Sequence, residues 1–508
     1  MLLLKNMNQS DDAKNSKKLF SIGIDLGTTY SLVATCYNKK LKIVTDQFKN
    51  KLLPSIVHYG INKITVGFNA KQYINHDSIN TITSIKRLMG LSLQKIKHLY
   101  PNLNYIIEED KNKKIRIKTR KGKFSPAEIS SLILKKLIDQ IQKKYNKNID
   151  YAVITVPAYF DDIQRKETKK AILLTGLTNF RLLNEPTAAA IAYGFHHERK
   201  GIIAIYDLGG GTFDFSLLKL NHDIFEVLST NGNSNLGGDD FDQILFNYII
   251  SKLKLSLNNC TIAEKQKIYT LTQTIKKNLS TSTIVYFTFN NYSNSITREE
   301  FNKLIQPLVQ KTLISCNNAI KDANINITDI NKIVLVGGST YIPLIRKTVQ
   351  NFFQQQPLVT INPEETVVVG AAIQANNLIE QSTMNQKKIL LLDVLPLSLG
   401  IEVIGNTVEK IIQKNTKIPT SKTKEFTTYK DGQTAISIHI LQGEEEITEN
   451  CRSLERFVLK GITPKPAGVN KISVTFEINA DGLLNVTAID QFTKIKKNVT
   501  INDICNIT

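Results

Sequence analysis

Two short, similar stretches of the chain combine an aspartate with glycines and hydroxyl residues. SIGIDLGTTYSLVA occupies residues 21–34, and AIYDLGGGTFDFSLL occupies residues 204–218. In each stretch an apolar run ends at an aspartate, a turn follows, and a second apolar run begins. The backbone N–H groups of such a turn can form an anion-binding concavity. Two of these hairpins facing each other across a cleft therefore predict a site that holds a polyphosphate from both sides.

The side chains of these turns suit the same chemistry. Thr28, Thr29 and Thr212 offer hydroxyl donors, and Asp25 and Asp207 follow apolar runs that read as strands. Carboxylates at strand ends can hold a hydrated Mg²⁺ without touching phosphate. One such turn alone would be equally compatible with a plain glycine hairpin, so the repetition carries the argument.

Two further Gly-Gly pairs follow along the chain. VGGSTYIPLIRK (336–347) reads as a strand, a close-approach turn and a helix that begins near Pro343, an arrangement suited to packing an adenosine. NLGGDDFD (235–242) places another Gly-Gly at a helix start. VPAYFDDIQRKETKKA and LNEPTAAAIAYG complete the series of motifs.

The elements that must position these motifs change in character along the chain. Up to about residue 382, apolar β-rich runs alternate with amphipathic helical stretches such as PAEISSLILKKLIDQIQKKY (126–145), which predicts an α/β architecture. From residue 394 onward, short alternating segments such as KISVTFEINADGLLNVTAID predict a β-sandwich. The expected units are a polar tail at 1–18, an α/β domain at 19–385, a linker at 386–393 and the sandwich at 394–508.

The amino-acid composition argues against several kinds of site and partner. The 508 residues include five dispersed cysteines without a C-x-x-C pair, which favours a reducing compartment over a disulfide framework or a zinc site. No apolar run approaches the roughly 20 residues of a membrane span, so we expect a cytoplasmic protein with no membrane partner. The net charge is +20, but the lysines are spread along the chain and no nucleic-acid-binding module accompanies them, so we expect no nucleic-acid partner.

Taken in order, the motifs, the leucine-rich ILLLD (389–393) and the terminal sandwich resemble the seventy-kilodalton heat-shock chaperone family over the whole chain after its first residues. The resemblance implies an actin-like (duplicated RNase H-like) ATPase domain followed by an all-β sandwich that binds peptide. It also implies a weak ATPase, using ATP/ADP, Mg²⁺ and K⁺, that a J-domain co-chaperone and a client peptide stimulate.

Within the family, EFTTYKDGQTAISIH and CRSLERF resemble the branch specialised for iron–sulfur cluster assembly. That branch implies a scaffold protein of the IscU type as client, bound through an extended peptide, and a J-domain co-chaperone of the HscB type. A general folding chaperone of the same family is the alternative. A small-molecule kinase or a filament-forming protein on the actin-like fold is disfavoured, because neither needs the linker and the sandwich.

The resemblance assigns roles to the residues that match the family's motifs. Lys71 would reach the γ-phosphate and Glu185 would order the attacking water, although in isolation Lys71 reads as a surface lysine and Glu185 as a helix-start acid. Catalysis would also use Asp207 and Thr212. Nucleotide and metal binding would involve Asp25, Gly27, Thr28, Thr29, Tyr30, Asp207, Gly209, Gly210, Gly211, Asp214, Gly237, Gly238, Lys276, Ser280, Gly337, Gly338, Ser339, Tyr341 and Glu364.

Two positions depart from the family's pattern on the adenosine side. Tyr341 stands where the family usually has an arginine that stacks on adenine; a tyrosine ring can stack, but it brings no cation. Gln273 stands where a glutamate usually contacts the ribose, and a glutamine can still accept a hydrogen bond. These departures bear on nucleotide affinity more than on the chemical step.

The resemblance also implies a link between domains and a peptide groove. Coupling would use Pro157, Arg165, Arg181, Leu390, Leu391, Leu392 and Asp393, with the leucines docking on the ATPase domain when ATP is bound and Arg181 near the co-chaperone's site. The peptide would meet Ile401, Val403, Ile404, Phe426, Thr427, Tyr429, Ile436 and Ile438, with Ile404 and Tyr429 arching over its backbone. Without the resemblance, most of these residues read as ordinary sandwich core. Because the chain stops soon after the last expected strand, we also expect no helical lid and fast peptide release.

Overall fold

The computed structural model describes residues 19–37, 40–101, 103–196, 200–256, 260–290, 292–358, 362–383 and 390–500. The expected polar tail at 1–18, the first half of the expected linker at 386–389 and the final residues 501–508 lie outside the described residues. The expectation about a lid rests on that final segment and is not tested by the structure. Within the described part of the chain, no helix combines the length and the apolar character needed to cross a bilayer.

The first lobe is built on a mixed sheet that contains the first glycine turn. Across the sheet the strands run in the order Phe180–Asn184, Tyr151–Val156, Ser21–Asp25, Tyr30–Tyr37 and Lys40–Ile43, and Leu53–Pro54 also pairs with Tyr30–Tyr37. The first three strands are parallel, whereas the last two form an antiparallel meander with Ser21–Asp25. Asp25 thus ends a central strand, as the sequence predicts.

The second lobe repeats this arrangement around the second glycine turn. Its sheet has the order Ile330–Val336, Lys200–Leu208, Phe213–Asn221, Ile224–Asn233, Leu390–Val394 and Lys417–Ile418. Lys200–Leu208 and Ile330–Val336 are parallel, and the next two strands form the same antiparallel meander as in the first lobe. The two similar motifs therefore lie at equivalent places in two similar sheets.

Helices flank both sheets, and their first turns show why they begin where they do. Ser125 and Glu128 form a reciprocal capping box at the start of the helix that begins at Pro126. Thr297 and Glu300 form the same box at the start of the helix that begins at Arg298. The helix predicted at 126–145 has those bounds in the structure. The α-helices are Phe68–Lys71, Leu93–Leu99, Pro126–Tyr145, Asp162–Leu173, Glu185–His196, Gly238–Lys252, Ile262–Leu279, Arg298–Asp322, Pro343–Phe353 and Thr366–Thr383.

Smaller sheets complete the two lobes. The basic stretch at 111–123, which the sequence predicts to be a solvated hairpin, forms two strands of a three-stranded meander. The strands of these smaller sheets are Val57–Tyr59, Ile64–Val66 and Thr81–Ile82; Ile106–Glu109, Ile115–Thr119 and Gly122–Phe124; and Ile284–Phe289 with Tyr292–Thr297.

The two lobes meet along a pair of helices packed at short range. A β-carbon added to Gly370 of helix Thr366–Thr383 would lie 1.7 Å from the carbonyl oxygen of Ala188 in helix Glu185–His196. Only a glycine permits this approach of the two helix backbones. The contact places Glu185, the first residue of its helix, between the two sheets.

The C-terminal region is a β-sandwich, as the alternating pattern predicts. One sheet has the order Thr407–Ile412, Leu399–Val403, Ala435–Gln442 and Arg452–Lys460; the other has the order Thr420–Thr427, Lys471–Ile478, Leu484–Asp490 and Lys496–Thr500. Ile472, Val474, Phe476 and Ile478 alternate along one strand and are all buried in the core between the sheets.

Candidate active site

The two glycine turns touch each other across the cleft between the lobes. A β-carbon added to Gly210 in the second turn would lie 2.2 Å from Oγ1 of Thr29 in the first. Both turns line one cavity of about 910 Å³. The structure therefore gives the facing hairpins that the sequence predicts, with backbone and hydroxyl groups of both turns in a single space.

Most residues expected at the nucleotide line this cavity. They are Asp25, Gly27, Thr28, Thr29, Tyr30, Lys71, Glu185, Asp207, Gly209, Gly210, Thr212, Gly238, Gln273, Lys276, Ser280, Gly337, Gly338, Ser339, Tyr341 and Glu364. Gly211, Asp214 and Gly237 are not among the lining residues. Asp214 instead accepts the backbone N–H of Tyr159 at 2.9 Å, and the Gly237 N–H is bonded to the carboxylate of Asp240 at 2.7 Å.

The other two Gly-Gly motifs converge on the second turn. The Gly238 N–H donates to the carbonyl of Gly209 at 3.0 Å, and the Ser339 hydroxyl donates to the same carbonyl at 2.8 Å. Segments more than 100 residues apart in sequence are thus fixed to one peptide group of the DLGGGT turn. This convergence fixes the shape of the cavity floor.

Four carboxylates crowd the base of the cleft. Burial, and then repulsion by Glu185, raise the pKa of both Asp25 and Asp214 to about 7. The same two causes raise the pKa of Asp207 well above its usual value. Thr155 donates a hydrogen bond to Asp25 at 3.2 Å, which opposes the shift only in part. So much buried negative charge is costly unless cations join it.

Lys86 is a buried cation at this cluster. Its Nζ lies 2.7 Å from Oε1 of Glu185, and both side chains are largely buried. Its charge lowers the pKa of Asp25, Asp207 and Asp214 against the larger effect of burial. An ammonium fixed among strand-terminal carboxylates can stabilise charge that develops on a phosphate during transfer.

Lys71, the lysine expected to reach the γ-phosphate, lines the same cavity, and Lys86 is a second lysine there that was not expected from the sequence. Lys71 is exposed in the short helix Phe68–Lys71. The signal for Lys86 was present in the sequence: SIKRLMG sets two adjacent cations inside an apolar stretch. Both Lys86 and Arg87 are buried, which is unusual for these residue types unless they are paired.

The donors at the cleft fit a hydrated divalent cation better than a directly ligated one. Among the described residues, no group of three or more His, Cys, Asp or Glu side chains is placed to hold a metal ion. Asp25 and Asp207 nevertheless present oxygen ligands, and burial, followed by repulsion from Glu185, raises the pKa of both. Oxygen donors and retained waters are what Mg²⁺ prefers beside phosphates.

The side of the cavity expected to hold adenosine is fixed by a buried ion pair. Lys276 Nζ lies 2.9 Å from the carboxylate of Asp242 and donates to the Gly238 carbonyl at 2.8 Å. Gln273 also hydrogen bonds to Asp242. The polar groups of helix Ile262–Leu279 are thereby tied to the start of helix Gly238–Lys252, so this wall of the cleft is rigid.

The outer parts of the lobes are connected across the cleft opening. Arg87 donates to both carboxylate oxygens of Asp240 at 2.9 Å, and its guanidinium lies over the ring of Tyr100 at 4.6 Å. Ser84 donates to Asp239 at 2.8 Å. These contacts join opposite sides of the opening, so they must separate when the cleft widens.

The described half of the expected linker is a strand that joins the two domains. Leu390–Val394 pairs in parallel with the edge strand Ile224–Asn233 of the second lobe and antiparallel with Lys417–Ile418 of the sandwich. Leu391 packs against a core cluster that both lobes share, whereas Leu390 is half exposed. The leucines are therefore docked on the α/β domain in this structure.

Asp393 connects the linker to the residue next to Glu185. Its carboxylate accepts hydrogen bonds from the Asn184 side chain at 2.8 Å and from the Thr187 hydroxyl at 3.0 Å. Burial raises the pKa of Asp393. Arg165, also buried, donates to Asn184 Oδ1 at 2.7 Å. Asn184 was not singled out in the sequence. It nevertheless hydrogen bonds to two of the expected coupling residues, Arg165 and Asp393, and it directly precedes Glu185.

Both expected coupling arginines also reach the sandwich. The Arg181 guanidinium lies 2.6 Å from the carboxylate of Asp481, and Arg165 donates to the Asp481 carbonyl at 3.4 Å. Lys414 of the sandwich pairs with Asp322 at 2.9 Å. Pro157 is buried directly after strand Tyr151–Val156, close in sequence to Arg165. Polar contacts on several sides therefore hold the sandwich against the α/β domain.

The residues expected to meet a peptide divide into buried and exposed groups. Ile401 and Ile438 belong to the sandwich core, with Val403, Phe426 and Ile436 partly buried against it. Ile404 and Tyr429 are 69% and 64% exposed, which is unusual for such large apolar surfaces and suits side chains that project from the sheet ends. Thr427 is exposed in the same region.

Comparison with known proteins agrees with this architecture. The family model described as Hsp70 protein matches residues 21–507. A "Chaperone protein HscA" of Buchnera aphidicola subsp. Baizongia pistaciae is 51% identical over 503 residues, 99% of this chain and 98% of that protein. The protein of that name in Buchnera aphidicola subsp. Acyrthosiphon pisum is 48% identical over 97% of this chain and 80% of its own length. The one in Cronobacter sakazakii is 46% identical over 100% of this chain and 82% of its own length. The chain belongs to the Hsp70 family and is an ATP-hydrolysing chaperone of the HscA type.

Proposed function

We propose that the chain hydrolyses ATP in the cleft between its lobes and uses the state of the nucleotide to control an extended peptide in the sandwich. The proposed client is an iron–sulfur cluster scaffold protein of the IscU type, so the chain would support the maturation of iron–sulfur proteins. The observation that carries the coupling is the contact path from Glu185 through Asn184 to Asp393 of the docked linker.

The hydrolytic step would use this chain's own charges in distinct roles. The turn amides and Thr28, Thr29 and Thr212 would hold the phosphates. Lys71 would reach the γ-phosphate and stabilise negative charge in the transition state, while Lys86 would offset the buried carboxylates and hold Glu185 in place. Glu185 would orient the attacking water. Mg²⁺, held through water by Asp25 and Asp207, would neutralise the phosphates when bound, and K⁺ is proposed as the accompanying monovalent ion.

The peptide would lie at the open end of the sandwich. Main-chain hydrogen bonds would supply affinity, and the apolar surface of Val403, Phe426 and Ile436 would accept a central side chain. The exposed Ile404 and Tyr429 would cover the peptide backbone. A tighter complex is expected when the sandwich is released from the α/β domain than when it is docked, although peptide release should be fast in both states.

Stimulation by a J-domain co-chaperone of the HscB type would act at the edge of the docked interface. Arg181 is partly exposed while it pairs with Asp481. An acidic or acceptor group of the co-chaperone that competes for Arg181 would loosen the sandwich and favour hydrolysis. Such competition requires no further rearrangement of the cleft.

A peptide titration tests the proposed client. A peptide from the iron–sulfur scaffold and a generic apolar peptide of equal length would be titrated into the full chain with ATP and with ADP. We expect the scaffold peptide to bind more tightly than the generic one, and more tightly with ADP than with ATP. Equal affinity for both peptides would favour a general folding chaperone, and equal affinity in both nucleotides would refute the coupling.

A further inference from the structure

Tyr341 departs from the family's pattern, and its structural surroundings explain how the departure is tolerated. It ends a single 3₁₀ turn, Gly338–Tyr341, at the wall of the nucleotide cleft. The guanidinium of Arg346, in the first turn of helix Pro343–Phe353, lies over the Tyr341 ring at 5.4 Å from its centroid. Both residues line the cavity. The cation that Tyr341 itself does not supply is therefore present beside its ring.

Hydrogen bonds at opposite ends fix this pair. The Tyr341 hydroxyl donates to Asn362 Oδ1 at 3.0 Å, and Arg346 Nε donates to the backbone carbonyl of Thr340 at 2.9 Å. Burial and the nearby carboxylate of Glu364 raise the pKa of Tyr341, so its hydroxyl remains a donor at neutral pH. A ring held in this way can stack on a ligand without losing side-chain entropy on binding.

The same cavity contains a second pair of similar composition. Lys277, on helix Ile262–Leu279, lies 5.5 Å from the centroid of the Tyr30 ring and 3.3 Å from its hydroxyl. Both members line the cavity. The cavity thus has aromatic rings and cations among its walls, which suits a flat, electron-rich base.

We propose that Tyr341 and Arg346 act as one unit that binds the adenine base, the ring by stacking and the guanidinium by polarising the ring and keeping it in place. This inference rests on the proposed placement of ATP in the cleft. It assigns Arg346, which lies in the motif at 336–347 but was given no role from the sequence, as a positioning residue for nucleotide affinity. It also predicts that the two residues depend on each other.

The test compares nucleotide affinities with the affinity for tripolyphosphate, a ligand without a base. Because base stacking on an aromatic side chain is the contact removed, Tyr341→Leu should weaken ATP and ADP binding about tenfold, whereas Tyr341→Phe should stay within about twofold of the parent. Arg346→Gln should weaken nucleotide binding about threefold in the parent chain and have no further effect beside Tyr341→Leu. Tripolyphosphate affinity should not change in any of these variants.

A double replacement provides the matched control. Tyr341→Arg with Arg346→Gln places the cation on the residue that the family uses, and it should restore nucleotide affinity relative to Tyr341→Leu. The inference is overturned if Tyr341→Leu binds ATP like the parent, if tripolyphosphate weakens in parallel, or if the Arg346 effect is unchanged beside Tyr341→Leu. If the parent chain itself binds tripolyphosphate but shows no preference for ATP over it, the proposed placement of the base fails instead.

Discussion

Replacement of Lys86 by glutamine tests the electrostatics of the cleft, because it removes a buried lysine that contacts Glu185. Nζ of Lys86 lies 2.7 Å from Glu185 Oε1, and its charge opposes the raised pKa of three neighbouring aspartates. Glutamine keeps most of the side-chain volume and a hydrogen-bond donor but removes the charge. The variant therefore isolates the electrostatic contribution.

The size of the effect follows from Coulomb's law. A unit charge acting at about 5 Å with an effective dielectric constant of about 20 contributes about 3 kcal/mol. If this interaction is made mainly with charge that develops in the transition state, the rate of hydrolysis should fall by about 10² to 10³. ATP binding should change far less, because the turns and their hydroxyl groups remain.

Single-turnover hydrolysis of bound ATP measures this directly, with nucleotide affinity and thermal unfolding as checks that the variant folds. Lys71→Gln is the companion variant, since Lys71 lines the same cavity and is the lysine expected to reach the γ-phosphate. Its rate of hydrolysis should also fall, with ATP binding largely intact. A Lys86→Gln rate within a few-fold of the parent would refute the assignment. A Lys71→Gln rate within a few-fold of the parent would refute the expected placement of the γ-phosphate.

Three further predictions address stability and coupling. Burial raises the pKa of Asp25 from 3.8 to about 7. The ligand-free folded state therefore binds this proton more tightly than the unfolded chain does. As the pH rises between these two pKa values, the free energy of unfolding should fall. Urea unfolding of the parent and of Asp25→Asn should differ in slope there, and parallel slopes would contradict the prediction. Leu391→Asp with Leu392→Asp should abolish stimulation of the ATPase by peptide and by J-protein, because two carboxylates cannot be buried in the dock; surviving stimulation by either would exclude the linker switch. Arg181→Asp should weaken the stimulation of the ATPase by peptide, because it breaks the ion pair with Asp481. Adding Asp481→Arg should restore that stimulation, and failure of the double variant to recover it would show that the pair does not hold the interface.

Hydrophobic periodicity and turn chemistry predicted the architecture well. The helix at 126–145 begins at a Ser-Pro-x-Glu capping box, and the strands at 151–156 and 471–478 follow from apolar runs and alternation. These signals are local, so the sequence contains them in full. The docking of the linker as a strand depends instead on an edge that the second lobe offers, which a local pattern cannot show.

The phosphate-binding turns could be predicted, because their glycine and hydroxyl residues form short motifs in the sequence. Single side chains that reach the cleft from elsewhere in the chain could be predicted less well. Lys71 and Lys86 stand 15 positions apart, each beside an apolar residue, and only burial against Glu185 distinguishes them. Asn184 and Asp481 carry polar contacts between domains, but an isolated Asn or Asp in a sequence reads as a turn residue. The contribution of Arg346 likewise appears only when its position over Tyr341 is known.

The central claim is that the nucleotide controls whether the linker strand is docked, and hydrogen exchange at Leu390–Val394 tests it most directly. In this structure the Leu390 N–H donates to the Asp223 carbonyl at 2.8 Å, and the strand pairs on both sides. With ATP bound to the full chain, these amides should be protected; with ADP, their exchange should accelerate by at least about tenfold, because the strand is released. Equal protection in the two nucleotides would contradict the claim.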